Sequence, residues 1–376
     1  MKKAQKILSV IIVATAILSA NAFAVETSIK GTIYANWMMN LSKNAKNYNA
    51  FTVDRAYFGA ESKLSDYTFM RITFDIRPER FFTPATKVID SAGDTVTVPS
   101  LSAYSGFPII LKYAYAEWKI KPIAQYFKLR LGLQPTAYLN YAETAWMRRY
   151  IAKMVIDQNS WISTSDFGIS AVATLGPQGK LGEAELSVLN GTKYSDIVEN
   201  NRNKDFNLAA KINPLYNNAN FDQVSLFAQY YGGTQNVAIV APVTGSDWKK
   251  QIISFGGKLA YQKWVDVDFD LNFQTIGQGT GRTELKQQGL SFFGNLYLNG
   301  IVPSSSLFRT LVLFGRVDKY DPNTKTDNDG NTLTIAGIEC SPVKGIRGSI
   351  GYKETSYQAN GVNPAKFLFF NTEFKF

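Results

Sequence analysis

The sequence predicts an all-β fold, a 16-stranded antiparallel transmembrane β-barrel with short periplasmic turns and long extracellular loops. Three observations predict it. Apolar and polar residues alternate with a period of two through sixteen successive segments, the pattern of strands with one apolar and one wet face. The connections between those segments alternate between short and long, as they do in outer-membrane barrels. Beyond residue 24 no apolar run approaches the roughly 18 residues that a transmembrane helix requires.

The chain opens with Lys2, Lys3 and Lys6, followed by the apolar run Ile7 to Ala20 and the small-residue cleavage pattern Ala22-Phe23-Ala24. Residues 1–24 therefore have the form of a secretory signal peptide, a retained membrane anchor being the other reading. Cleavage there removes three lysines and no acid from a chain of net charge +10, and leaves 25–376 as the barrel.

Strands are expected near 28–40, 50–64, 67–77, 109–120, 125–133, 165–175, 182–190, 205–213, 221–231, 250–262, 265–275, 286–298, 308–318, 331–341, 345–355 and 364–376. The alternation is plainest in Asp266-Val267-Asp268-Phe269-Asp270-Leu271-Asn272-Phe273 and in Met70-Arg71-Ile72-Thr73-Phe74-Asp75-Ile76-Arg77. Connections after even-numbered strands are short, as in Ser65-Asp66, Lys263-Trp264 and Pro342 to Lys344. Those after odd-numbered strands include Pro78 to Pro108 and Gln134 to Thr164. An even number of strands then puts both termini on the periplasmic side. The competing reading is a soluble β-sandwich or two, with the apolar faces meeting in a core. A sandwich has sheet edges to protect, whereas here nearly every strand keeps an apolar and a polar face through to the last residue. In the final strand Phe370, Thr372, Phe374 and Phe376 share one face, with Asn371, Glu373 and Lys375 on the other. This strand resembles the C-terminal recognition strand of outer-membrane barrels, which implies that Phe374 and Phe376 are read by the barrel-assembly machinery.

Composition narrows the chemistry. The chain has no histidine, which removes histidine-based nucleophile activation, acid/base catalysis and metal ligation. Its one cysteine, Cys340, cannot form an internal disulfide or a thiolate cage. Asp327-Asn328-Asp329-Gly330-Asn331 begins like a calcium loop, but Ile338 stands where the closing glutamate belongs, so a turn is expected and no metal or cofactor is called for. Acids are interleaved with the bases throughout and no dense Lys/Arg run occurs, which argues against nucleic-acid binding. The 51 aromatics fit a band facing outer-membrane lipids and its girdles, Trp118 and Trp264 lying near strand ends on the short-turn side.

Function is then sought on the inward faces. Strands two to five place Arg55, Lys63, Arg71, Arg77, Lys119, Lys128 and Arg130 inward against Glu61, Asp75 and Glu117. Strands seven and eleven place Glu183, Glu185, Asp266, Asp268 and Asp270 inward with no base, so one wall is basic and another acidic. Two charges ~5 Å apart interact by about 0.8 kcal/mol in bulk water and about 3 kcal/mol at an effective dielectric near 20, so a narrowed stretch is needed for strong selection. The narrowing element is expected in the loop 134–164, whose helix-compatible stretch Ala142 to Met154 clusters Arg148, Arg149 and Lys153 with Glu143 and Asp157 beside them. The alternative is an outward loop with solvated charges.

Asp54-Arg55-Ala56-Tyr57-Phe58-Gly59-Ala60-Glu61-Ser62-Lys63 and the following Tyr67 to Asp75 resemble the second and third strands of the phosphate-selective porin family. Tyr113-Ala114-Tyr115-Ala116-Glu117-Trp118 and Leu129-Arg130-Leu131-Gly132 look like its fourth and fifth. The resemblance covers residues 50–135. It implies a homotrimer of sixteen-stranded barrels that passes anions along rows of arginine and lysine, with Arg55 and Arg130 facing the lumen. Leu133-Gln134-Pro135-Thr136 departs from the family pattern by lacking its lysine. With the acidic wall, that departure favours a general channel for small anionic or neutral solutes, crossed by a transverse field and mildly anion-preferring at most. An outer-membrane adhesin or other surface-binding barrel is the second reading, and an enzyme would have to work without histidine.

Overall fold

Sixteen alternating strands satisfy all their backbone N–H and C=O groups only if the first strand pairs with the last. That closure is found in the computed structural model, which describes residues 25–43, 48–82, 86–89, 95–98, 102–121, 123, 125–239, 244–302 and 310–376. The expected signal peptide, 1–24, lies outside the described residues.

The strands are β1 (Glu26–Asn40), β2 (Asn49–Lys63), β3 (Thr68–Ile76), β4 (Glu79–Phe82), β5 (Thr86–Ile89), β6 (Thr95–Val98), β7 (Ser102–Gly106), β8 (Ile109–Lys119), β9 (Phe127–Pro135) and β10 (Ser165–Leu175). They continue as β11 (Gly182–Leu189), β12 (Asp205–Ile212), β13 (Phe221–Thr234), β14 (Lys249–Tyr261), β15 (Val265–Ile276), β16 (Leu285–Tyr297), β17 (Leu311–Asp321), β18 (Asn331–Val343), β19 (Ile346–Tyr357) and β20 (Ala365–Lys375). β1–β3 and β8–β20 form one closed antiparallel barrel in chain order, closed by β1 against β20. β4–β7 form two small two-stranded sheets within the connection 77–108, an elaboration that short segments without clear alternation did not announce. The sixteen barrel strands fall on the sixteen expected segments, with boundaries displaced by at most three residues.

Burial is inverted relative to a soluble protein. Along β15, Asp266, Asp268, Asp270 and Asn272 are buried while Val267 and Phe273 are exposed. Phe51, Leu131, Leu208, Phe292 and Ile350 likewise project from the outside of the barrel, Phe51 with 82% of its surface free. A sandwich would bury these faces against each other; this outward apolar belt needs a hydrocarbon solvent. None of the described helices is long and apolar enough to span a membrane.

A loop inserted into the barrel occupies part of the interior. The helix Ala137–Trp146 turns its Tyr138, Tyr141, Ala142 and Ala145, at i, i+3, i+4 and i+7, into buried positions. It ends because Met147 adopts φ 61°, a left-handed conformation that breaks the α-helical path. The expected helix over Ala142 to Met154 is thus corrected: the helix starts directly after Pro135-Thr136, and residues 147–154 run irregularly to a single turn at Val155–Gln158.

At the seam, Gly31 and Phe376 exchange backbone hydrogen bonds, each N···O distance 3.1 Å. A Cβ on Gly31 would sit 2.1 Å from the Phe376 ring, so a side chain there would push the ring aside. Phe374 lies opposite Ile33 and Phe376 is 70% exposed.

Candidate functional site in the barrel lumen

The loop 136–164 folds into the barrel and lies on the wall formed by β12–β20, which holds it with polar and aromatic contacts. Tyr138 donates its hydroxyl to Asp270, and Lys258 donates to Ala145 O at 3.2 Å and to Asp266 at 3.1 Å. Arg148 Nε lies 3.0 Å from Glu339, Arg316 donates to Lys153 O at 2.8 Å, Arg347 to Met147 O, and Asn371 to Tyr150 O at 2.9 Å. Trp146 packs edge-on to Phe293 at 5.3 Å.

This placement corrects the expected acidic wall. Asp266, Asp268 and Asp270 do point inward, but the loop covers them to 1%, 2% and 1% exposure. Lys258, on the neighbouring strand, faces Asp266 and Asp268. Asp270 holds the loop directly through Tyr138, and Asp266 holds it indirectly through Lys258. The basic loop cluster is also divided. Arg148 is fully buried on the Glu339 side, whereas Arg149 reaches the opposite wall.

The loop leaves the β1–β3 and β8 side open. There a cavity of about 190 Å³ is lined by Lys30, Tyr34, Tyr57, Arg71, Lys112, Tyr113 and, from the loop, Glu143 and Arg149. Four bases and one acid border this cavity. Arg149 pairs with Glu143 and with Asp157 at 2.8 Å, and its Nε donates to the Tyr57 hydroxyl oxygen at 3.4 Å. The same oxygen accepts from Arg55 at 2.9 Å and Lys112 at 3.0 Å, so three cations converge on one phenol. Arg71 stacks over the Tyr113 ring at 4.5 Å and Lys112 over Tyr57 at 4.3 Å. Arg71 also lies 3.6 Å from Glu61.

Lys112 is the residue that alternation conceals. With Tyr113 and Tyr115 inward, a regular strand would turn Lys112 out to lipid. Between Thr73 and Phe74 of β3 the register skips Lys112, so it is the extra residue of a β-bulge. The bulge turns it inward beside Tyr113, to 4% exposure, and among the described residues no carboxylate pairs with it. A lysine in a lipid-facing register was the one available signal.

Several of the other expected basic residues are also paired with carboxylates. Arg55 lies 3.3 Å from Asp75, Lys128 2.8 Å from Glu117, and Arg130 2.8 Å from Glu117 and 3.0 Å from Glu185. Arg77 stacks near Tyr194 at 6.0 Å. Tyr194 itself belongs to an unexpected inward hairpin: Lys193 and Asp196 bond across its tip, and its hydroxyl donates to Asp75 at 2.6 Å. The hairpin stem is held by Asp166, which accepts from Gly191 N and Thr192. Lys153 stands half-buried near Arg55, Arg77 and Arg149. Burial holds its ammonium below the usual lysine range, Asp157 opposes that shift, and the three arginines reinforce it.

A closed sixteen-stranded barrel with an inserted loop narrowing a polar lumen is the architecture of outer-membrane porins. Solved structures bear this out at the level of fold. OmpT of Vibrio cholerae matches with a TM-score of 0.58 at 9% identity, over 95% of this chain and 99% of that one. The outer membrane channel DcaP of Acinetobacter baumannii gives 0.57 at 11%, over 95% and 99%. An anion-selective porin from Comamonas acidovorans gives 0.57 at 9%, over 94% and 100%. No protein-family model matches the chain, and no curated protein sequence does.

Proposed function

We propose that this chain is an outer-membrane porin, a water-filled passive channel for small hydrophilic solutes and ions that prefers anions. The observation that carries the reading is the asymmetry of the constriction: four bases and one acid border it, while the acids of β15 lie beneath the loop. A charge in a narrowed, low-dielectric passage acts far more strongly than one in bulk water. The preference is thus expected to exceed that of two equal, opposed walls. The Comamonas neighbour, described as anion-selective, supports the same direction. Phosphate-like anions belong to the reading through the family resemblance of residues 50–135. No bond is made or broken in this role.

The reading extends to assembly. The leader 1–24 takes the chain to the periplasm, Phe374 and Phe376 present it to the barrel-assembly machinery, and the short turns face the periplasm. A homotrimer is supported by the family resemblance and by a Vibrio OmpT recorded in a trimer form. The test is a planar-bilayer recording in a KCl gradient. Stable step openings with a reversal potential on the chloride side are expected. A cation-selective channel would overturn the preference, and silence with binding to host surfaces would favour the surface-binding barrel.

A further inference from the structure

A second cavity, of about 410 Å³, lies inside the barrel on the long-loop side, enclosed by residues 159–163 of the inserted loop, the 191–196 hairpin, the segment 235–237 and the ends of β13–β16. Its chemistry differs from the constriction. The charged side chains on it are two of each sign, Asp166 and Asp196 against Lys193 and Lys250. Asp166 is engaged by Gly191 and Thr192, and Lys250 by Asp205 at 3.0 Å.

The rest of the lining mixes carboxamides and hydroxyls with Trp161, Ile162, Val237 and Ile276, and the protein fixes the orientation of several of the polar groups. Asn159 donates its Nδ2 to Val155 O at 2.8 Å, Gln235 its Nε2 to Gly277 O, and Gln287 its Nε2 to Pro322 O at 3.1 Å. With each NH₂ turned into the protein, the Oδ1 or Oε1 of each is left as an acceptor with no protein donor among the described residues. Gln274, 2% exposed, adds an Oε1 that no protein group satisfies. The hydroxyls behave likewise: Thr136 donates to Ser163 O at 2.7 Å, Thr192 to Asp166 at 3.0 Å and Tyr231 to Asp205 at 2.6 Å. The cavity therefore offers several fixed lone pairs beside donors from Ser160, Ser163 and Lys193. Solutes rich in O–H groups, which both donate and accept, are well matched to such a lining.

We propose that this cavity is a binding site for a neutral polyhydroxylated solute, a polyol or a mono- or disaccharide, on the long-loop side of the constriction. Its volume lies in the range of about 300–1,000 Å³ typical of small-ligand pockets. The inference stands apart from the anion preference, which the reversal potential tests without sugar present.

The experiment uses the full-length protein in planar bilayers, titrated with glucose and maltose. Reversible interruptions of the ion current are expected. Gln274→Leu combined with Gln287→Leu removes two acceptors, and the half-blocking concentration should rise about tenfold at typical hydrogen-bond strengths. Conductance and reversal potential in sugar-free KCl should stay unchanged. Asn159→Leu, on the loop, gives an independent variant with the same expected direction. Sugars that never interrupt the current, or interruptions that the substitutions leave untouched, would overturn the proposal. So would ethanolammonium blocking more strongly than either sugar, since the acceptors would then serve a cation.

Discussion

Replacing Lys112 by glutamine removes a charge from the constriction while keeping a polar side chain of similar reach. Lys112 has no carboxylate partner among the described residues, so the substitution strands no buried acid, and the barrel should keep its stability. Lys112 lines the cavity of about 190 Å³, and an ion entering it would come to ~5 Å of the ammonium. At that distance a unit charge contributes about 0.8 kcal/mol even with the dielectric of bulk water, and about 3 kcal/mol near a dielectric of 20. With about 1.4 kcal/mol per tenfold, the anion-to-cation permeability ratio should fall at least about fourfold. The assay is the reversal potential in a KCl gradient, with Lys112→Arg retaining the wild-type value. Asp266→Asn serves as the contrast, because the loop covers that carboxylate and its loss should leave the reversal potential nearly unchanged. An unaltered potential in Lys112→Gln, or a rise in anion preference in Asp266→Asn as large as the expected fall, would refute the reasoning.

Three further outcomes are expected. Arg148→Met removes the 3.0 Å contact to Glu339 and should loosen the loop by about 2 kcal/mol; larger or noisier single-channel conductance and faster proteolysis of the loop would show it, whereas Arg149→Ala should lower anion preference with the loop intact. Gly31→Val collides with the Phe376 ring and should slow barrel closure, read as a larger unfolded fraction in heat-modifiability gels, with Phe376→Ala relieving the defect. Because burial lowers the Lys153 pKa, its charge is lost earlier as pH rises than that of an exposed lysine; anion preference should decline on the alkaline side, and Lys153→Arg should flatten that decline.

The strands were legible because lipid and water impose opposite demands on successive residues. The run Asp266 to Phe273 admits no other arrangement, and β15 is found where it stands. The inward direction of Arg55 and Arg130 was legible for the same reason. What alternation cannot show is where it is interrupted. A single bulge at Lys112 reverses one side chain and changes the constriction. Nor does periodicity reveal which inward faces a loop will cover. Asp266, Asp268 and Asp270 looked like a wall facing solute, yet Tyr138 of the loop meets Asp270, and Lys258 of the adjacent strand pairs with Asp266 and Asp268 while holding Ala145 O. The helix was misplaced because its end depends on the backbone of Met147, which no residue type announces. The Tyr194 hairpin went unseen because its anchors, Asp75 and Asp166, lie far away in sequence.

The seating of the loop on β12–β20 divides the barrel into a fixed half and a tunable half. Residues on β14–β20 bind the loop, so a substitution there moves the constriction before it alters any contact with solute. Residues on β1–β3 and β8 touch the passage without holding the loop in the same way, apart from Tyr57. New selectivities, whether reached by drift or by engineering, are therefore most accessible through Lys30, Arg71, Lys112 and Tyr113, four positions that can be exchanged while the scaffold that sets the width of the channel stays in place.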